Sequence, residues 1–328
     1  MDGFFVDYGG LRDFVRGHSA RQPDVDAFPG ALSELMPRPA DYPEAAGDFR
    51  TRFDRHASAA ATTAALLREG HHKAGADVRT AGLRYGQAEE ATAGMVAASG
   101  EHSAGRTGAV LGGLGVQASA ILASVAGAGR AARMGRSPAM PAAGGGGSAL
   151  LTMAATLIVI ANARDPEAWE RRGLAAARLG TNVTEHADGV QGAVRASHDH
   201  LRGEAGDAFR SLMLSDVVAP TRTLSEAVGE MSAAALAAGD AQRRFNERIV
   251  KGAPLAMLAG APAGYLLPPT QVTVAALWLI YVVNCRKRLR QDLEAAGGYL
   301  GRTGALSEVA GRLGRDRPAP GRPPAVTI

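Results

Sequence analysis

From Glu44 to Ala98 the apolar positions hold one register. Ala60, Ala64, Leu67, His71, Ala74, Val78, Ala81, Tyr85, Ala88, Thr92 and Met95 follow one another in steps of four and three, the spacing of a heptad seam. Phe49, Phe53 and Ala57 carry the stripe towards its start, while Arg50, Arg52, Asp54, Arg55, Arg68, Glu69, Lys73, Asp77, Arg79 and Arg84 fill the other faces. No proline interrupts between Pro43 and Pro138. The spacing predicts a single helix roughly 80 Å long. Its alanine-rich seam buries too little surface by itself, so the helix requires partners.

Shorter periodic stretches flank it. Leu11, Phe14 and Val15 mark an amphipathic helix with Asp7 as its cap; Pro23 interrupts it, and Val25, Phe28, Leu32 and Leu35 resume the spacing with Asp24 placed to cap the restart. Met36 to Pro43 is a loop, so residues 5–98 read as a helical hairpin whose longer arm turns its seam to the shorter. A second hairpin covers residues 166–250. Its first arm carries Leu174, Leu179, Val183, Ala187, Val190, Val194, Ser197 and Leu201, and the chain breaks at Leu201–Glu204. It returns through Phe209, Leu212 and Met213 and, past a kink at Pro220, through Leu224, Val228, Met231, Ala235, Ala238, Phe245 and Ile249. Gln291 to Leu313 forms one further helix. The tail, residues 314–328, is too rich in proline and charge to fold.

Between and after the hairpins lie three runs without charge. Thr107 to Gly129 is apolar but interrupted by glycine, and Ser137 to Ala163 has an aliphatic core from Ala149 to Ala161. Gly252 to Cys285 ends in the most aliphatic stretch of the protein, and Arg286-Lys287-Arg288-Leu289-Arg290 stops it. Beside Trp278, the seven aliphatics Val272, Val274, Leu277, Leu279, Ile280, Val282 and Val283 supply roughly −3 kcal/mol towards insertion in a bilayer, while Thr270, Gln271, Thr273 and Asn284 oppose it. Taken as residues 265–283 the segment is long enough to span, although Pro268 and Pro269 then fall inside it. Two readings stay open: residues 149–163 and 265–283 anchor the protein in a membrane, or they are buried helices. The organisation expected is therefore all-α: hairpin 5–98, apolar helices and a Gly/Pro linker over 99–165, hairpin 166–250, an apolar region 251–313 that is membrane-associated in the first of these readings, and a disordered tail over 314–328. The two hairpins can pair as an antiparallel four-helix bundle.

Composition removes several function classes. Aromatic residues make up 5% of 328 residues and glycine accounts for 42 of them, which argues against a β-sandwich or barrel. The formal charge of +4 is spread over scattered arginines, without the basic stripe and interleaved aromatics of a nucleic-acid surface. Cys285 is the only cysteine, so neither an intrachain disulfide nor a Cys-based zinc site is available. The histidine pairs His71/His72 and His198/His200 lack the i, i+3 or i, i+4 spacing of helical metal ligands. Gly144 to Gly147 lacks the Lys-Ser/Thr of a phosphate loop. No nucleophile-base-acid set stands out, and the expectation is a protein that is not an enzyme and holds no metal or cofactor. The start of the chain, with Asp2 and Asp7 and no apolar core, does not read as a general secretion signal.

Two local patterns resemble a known system. Leu83-Arg84-Tyr85-Gly86-Gln87-Ala88-Glu89 is similar to the Tyr-x-x-x-Asp/Glu signal of actinobacterial type VII (ESX) secretion substrates. With Gly47, Phe49, Phe53, Leu66 and Leu67 on the same helix and Leu11 on the preceding one, residues 5–98 resemble the EspC-like hairpins, Phe53 standing where a Trp is usual. Leu201-Arg202-Gly203-Glu204-Ala205-Gly206-Asp207-Ala208-Phe209 resembles the Trp-x-Gly hairpin turn, with Leu201 in place of Trp. The resemblance implies a substrate or partner of the type VII machinery, secreted or cell-surface, read through Tyr85 and Glu89 and built as two hairpins fused on one chain. It also implies a helical-hairpin partner or an oligomer, with the end of the long helix near the second turn. The reading from another class is a membrane protein that uses the hairpins as interaction modules.

Overall fold

Helices α5 (Pro166–Ala196) and α7 (Ala219–Lys251) lie antiparallel at the centre of the protein. Small residues let them approach closely. A Cβ on Gly173 would stand 2.6 Å from Leu236 Cγ, and the hydroxyls of Ser232 and Ser225 donate to the carbonyls of Gly173 and Gly180 at 2.8 and 2.9 Å. The computed structural model describes residues 5–6, 8–99, 146–197, 201–261 and 268–315.

Around this pair stand α1 (Tyr8–Ala20), α2 (Gln22–Leu35), α3 (Gly47–Ser99), α4 (Gly146–Asn162), α6 (Glu204–Met213), α8 (Ala253–Ala259), α9 (Pro268–Gly297) and α10 (Thr303–Arg315). The class is all-α; among the described residues the extended backbone is one antiparallel pairing of Phe5–Val6 with Leu201–Arg202. The second hairpin, the first hairpin as far as Arg84 and the described apolar helices belong to one compact unit, residues 1–84 with 143–328. Residues 85–142 form a second unit, whose described part is the end of α3. The run Thr107 to Gly129 and the tail beyond Arg315 lie outside the described residues.

As far as it is described, the seam of α3 is buried, apart from the half-buried Ala74. Phe49, Phe53, Ala57, Ala60, Ala64 and Leu67 join one core with Val25, Phe28 and Leu32 of α2, Trp169 and Val183 of α5, Leu224 and Phe245 of α7, Leu289 and Leu293 of α9 and Leu306 of α10. Val78 continues into a second cluster with Phe14, Val190, Val194, Met213, Val217 and Val218. Thus the two hairpins pack on each other seam to seam, with α9 and α10 completing the walls. At one end Trp169 meets Tyr42, Phe49 and Phe53 edge-on at 5.3–5.6 Å between ring centres.

Several boundaries differ from those the spacing predicts. Asp24 does not cap α2: the chain turns at Arg21, whose side chain makes no capping bond, and α2 starts at Gln22 with Pro23 in its first turn, where a missing N–H costs nothing. At Pro220 the backbone is helical on both sides but not regular. A π-turn at Leu214–Val218 precedes it and α7 begins at Ala219, which absorbs the lost donor before the proline. Residues 291–313 are not one helix either. α9 runs on to Gly297, since Cys285, Leu289, Leu293 and Ala296 keep the helical spacing past the basic run, and α10 starts afresh at Thr303.

Candidate functional site

At one end of the bundle α4, α8 and the first half of α9 form a separate layer. Ala155, Ala259, Ala275, Trp278 and Val282 are its buried centre, with Leu151, Ile158 and Val159 of α4 packed against them. The opposite face of α4 is equally apolar, yet nothing in the described residues covers it: Leu150, Met153, Leu157 and Ile160 are exposed, Leu157 by 58% and Ile160 by 61%. On α8 Met257 and Leu258 are exposed, and on α9 so are Val272, Leu277, Ile280 and Val283.

The aliphatic segment singled out in the sequence is thus divided. Val272, Leu277, Ile280 and Val283 point outwards, Trp278 and Val282 are buried against α4 and α8, and Val274 and Leu279 are half-buried. A wholly buried helix does not describe it. Pro268 and Pro269 open α9 rather than interrupting it, and residues 262–267 lie outside the described residues.

The layer is fastened to the bundle by polar groups. Asn162, fully buried at the end of α4, accepts from the amide of Ala45 at 2.8 Å through its side-chain oxygen, and its own carbonyl accepts from Gln242 Nε2 at 2.9 Å. Arg164 donates to the carbonyl of Tyr42 at 3.2 Å, and the Tyr281 hydroxyl donates to the carbonyl of Arg248 at 2.6 Å.

A second feature escapes any reading of one helix at a time. His18 of α1, His71 of α3 and His186 of α5 meet in the bundle interior. The rings of His18 and His71 stack at 3.7 Å, and His186 lies 5.2 Å from His71. His18 Nε2 donates to the carbonyl of His71 at 3.0 Å, whereas both ring nitrogens of His71 and of His186 are buried without a hydrogen-bond partner, Asp24 lying 4.0 Å from His186 Nδ1. Burial pushes His71 down to about 3 and His186 down to about 4, and it lowers His18 as well. The neighbouring guanidinium groups of Arg79 and Arg21 add to the effect on His18, and Asp24 opposes it at His186. Stacked rings do not converge on an ion, and no cluster able to hold a metal occurs among the described residues. His56 is buried too, but it is satisfied by Thr303 and by the carbonyl of Ala227, each at 3.0 Å.

The residues of the type VII resemblance are spread over both units. α3 runs unbroken through positions 85 and 89; the side chains of Tyr85 and Glu89 lie outside the described residues, as does that of Leu201. Gly203 takes φ 90°, a backbone state open to glycine at little cost, and its carbonyl accepts from the amide of Asp207 at 3.1 Å to start α6. Phe209 meets Phe14 edge-on at 5.1 Å. No protein-family model, curated protein or solved structure matches the chain.

Proposed function

We propose that the protein is a non-enzymatic, membrane-associated helical bundle. α4, α8 and the first half of α9 enter the bilayer, and the paired hairpins stand in water as a body for binding partners. The observation that carries this is α4, a helix apolar on every side whose outer face the described chain leaves open. An all-round apolar helix belongs in a core or in lipid. The most apolar window of the stretch Gly147–Ala196 is only 17% buried, which speaks against a core. The charge-free parts of α4 and α9 each rise roughly 25 Å, against a hydrocarbon thickness of ~30 Å, enough for deep insertion.

Flotation of the full chain with lipid vesicles tests the reading. Wild type should float and resist an alkaline wash. Ile280→Arg, on the exposed side of α9 and therefore without effect on the bundle melt, should cost about 3 kcal/mol of insertion and leave the protein in the soluble fraction. A wild type that is monodisperse without detergent, whether as monomer or as a dimer closed over the layer, would defeat it.

Association with type VII secretion is a second and compatible reading, favoured by the turn at Gly203 and by the seam-to-seam packing of two hairpins on one chain. In it Tyr85 and Glu89, one helical turn apart, are read by the secretion machinery. Glu89→Gln should leave the melt within about 0.5 kcal/mol of wild type and abolish export from a type VII-competent host, while the control Glu90→Gln is exported. Equal export of all three would remove the signal reading.

A further inference from the structure

The residues at which the apolar layer stops form a band of positive charge. On α9 the three positions after Cys285 are Arg286, Lys287 and Arg288, and on α7 the last charged position before the layer is Lys251. Lys251 stands level with the middle of α9, because a Cβ on the adjoining Gly252 would meet Tyr281 at 2.5 Å and Trp278 at 2.7 Å. Arg286 is engaged by Glu44 at 3.0 Å and Arg290 by Glu294 at 2.7 Å. Lys251, Lys287 and Arg288 are exposed, and none of them has an ion pair among the described residues. Lys287 opens on a hollow of about 340 Å³ whose wall includes Val283 on the apolar side and Arg286, Arg290 and Asp48 on the other. Of the carboxylates near the band, Glu44 is paired with Arg286, Glu294 with Arg290 and Asp292 with Arg244 and Arg248, while Asp48 and Glu247 of α7 are exposed.

We propose that Lys251, Lys287 and Arg288 bind the headgroups of anionic phospholipids and so set the depth at which the layer stops. This rests on the membrane reading and adds the lipid class. Each end of the band joins charge to exposed aliphatic surface: Lys287 and Arg288 lie within two turns of Val283, and Lys251 follows Val250, which is 71% exposed. A free phosphate satisfies the cation and leaves the aliphatic neighbour wet, whereas a phospholipid covers both. Unpaired cations at that depth are drawn to an anionic leaflet, the attraction fading within a Debye length of the surface.

The test is flotation of the full chain with vesicles of phosphatidylcholine alone and of phosphatidylcholine mixed with phosphatidylglycerol. Wild type should bind the mixed vesicles more tightly. The triple variant Lys251→Gln, Lys287→Gln, Arg288→Gln should keep its binding to the neutral vesicles and lose the gain, at about fivefold for each side chain. A charge-matched control on the bundle, Arg178→Gln, Arg195→Gln, Arg312→Gln, should retain it. Equal binding of wild type to both vesicles, an undiminished gain in the triple variant, or the same loss in the control would each overturn the headgroup proposal and leave insertion standing. Competition by soluble glycerol phosphate at matched ionic strength would overturn it in favour of a free-phosphate site. Failure to bind either vesicle would remove the membrane reading itself.

Discussion

His71 is a seam residue by spacing, and in the seam it is an imidazole with two unmet ring nitrogens, stacked on a second imidazole and near a third. A protonated ring there would lose its hydration and sit beside the rings of His18 and His186, so the folded protein keeps the cluster neutral. The unfolded chain binds protons at the ordinary value of 6.5, while the folded values fall to about 3 for His71 and about 4 for His186. The stabilising contribution is therefore complete above pH 6.5 and is lost as the pH falls towards the folded values. Each of the two should remove on the order of 1.4 kcal/mol per pH unit inside that window. Urea melts between pH 7.5 and pH 5 should show this slope, and His71→Leu should reduce it by about one proton; a slope unchanged in the variant would sink the assignment. None of this is legible in the sequence, where helical spacing relates histidines only along one helix. His18 and His71 are 53 residues apart, and only tertiary packing brings them together. Trp169 went unnoticed for a related reason: a single aromatic in a polar run carries no periodic signal, yet it fills the centre of the Tyr42, Phe49 and Phe53 cluster.

At the scale of the element, α5 and α7 are joined by small residues that the hydrophobic pattern ignores. Gly173 and Gly180 of α5 face Ser232 and Ser225 of α7, each pair bridged by a hydroxyl-to-carbonyl bond. Gly173→Ala brings a methyl to 2.6 Å from Leu236 Cγ and 3.2 Å from its backbone nitrogen. The overpacking, about 1–3 kcal/mol, exceeds the helix-propensity gain of about 1 kcal/mol, and the variant should melt earlier. Gly192→Ala on the same helix meets nothing within 4 Å and should stabilise by up to about 1 kcal/mol. Denaturation of the two variants side by side checks the sign of each, and a stabilised Gly173→Ala would contradict the close approach. The long helices themselves were readable, because period and length decide them. Their ends were less so: α9 crosses from an apolar run into a charged one without a break, since a helix needs only one covered face and Cys285, Leu289 and Leu293 supply it.

For the whole molecule, the pattern stated that each seam needs a partner and left open which one. It gave the two hairpins and their mutual packing, but not that α9 and α10 close the bundle, because those helices looked like an anchor and an appendage. Nor could the apolar runs be placed inside or outside a core by composition; only the exposure of Leu157, Ile160 and Ile280 separates the alternatives. The lateness of the closing walls bears on how the chain is made. His56 is bonded to Thr303 across 247 residues and Thr63 to Leu306 across 243, so the bundle around Phe49, Phe53 and Trp169 stays open until α9 and α10 have been made. α4 leaves the ribosome long before α9 arrives to cover its inner face. At ~5–20 residues per second the interval is on the order of ten seconds, during which a helix apolar on all sides must be sheltered by lipid or by a chaperone rather than by its own fold.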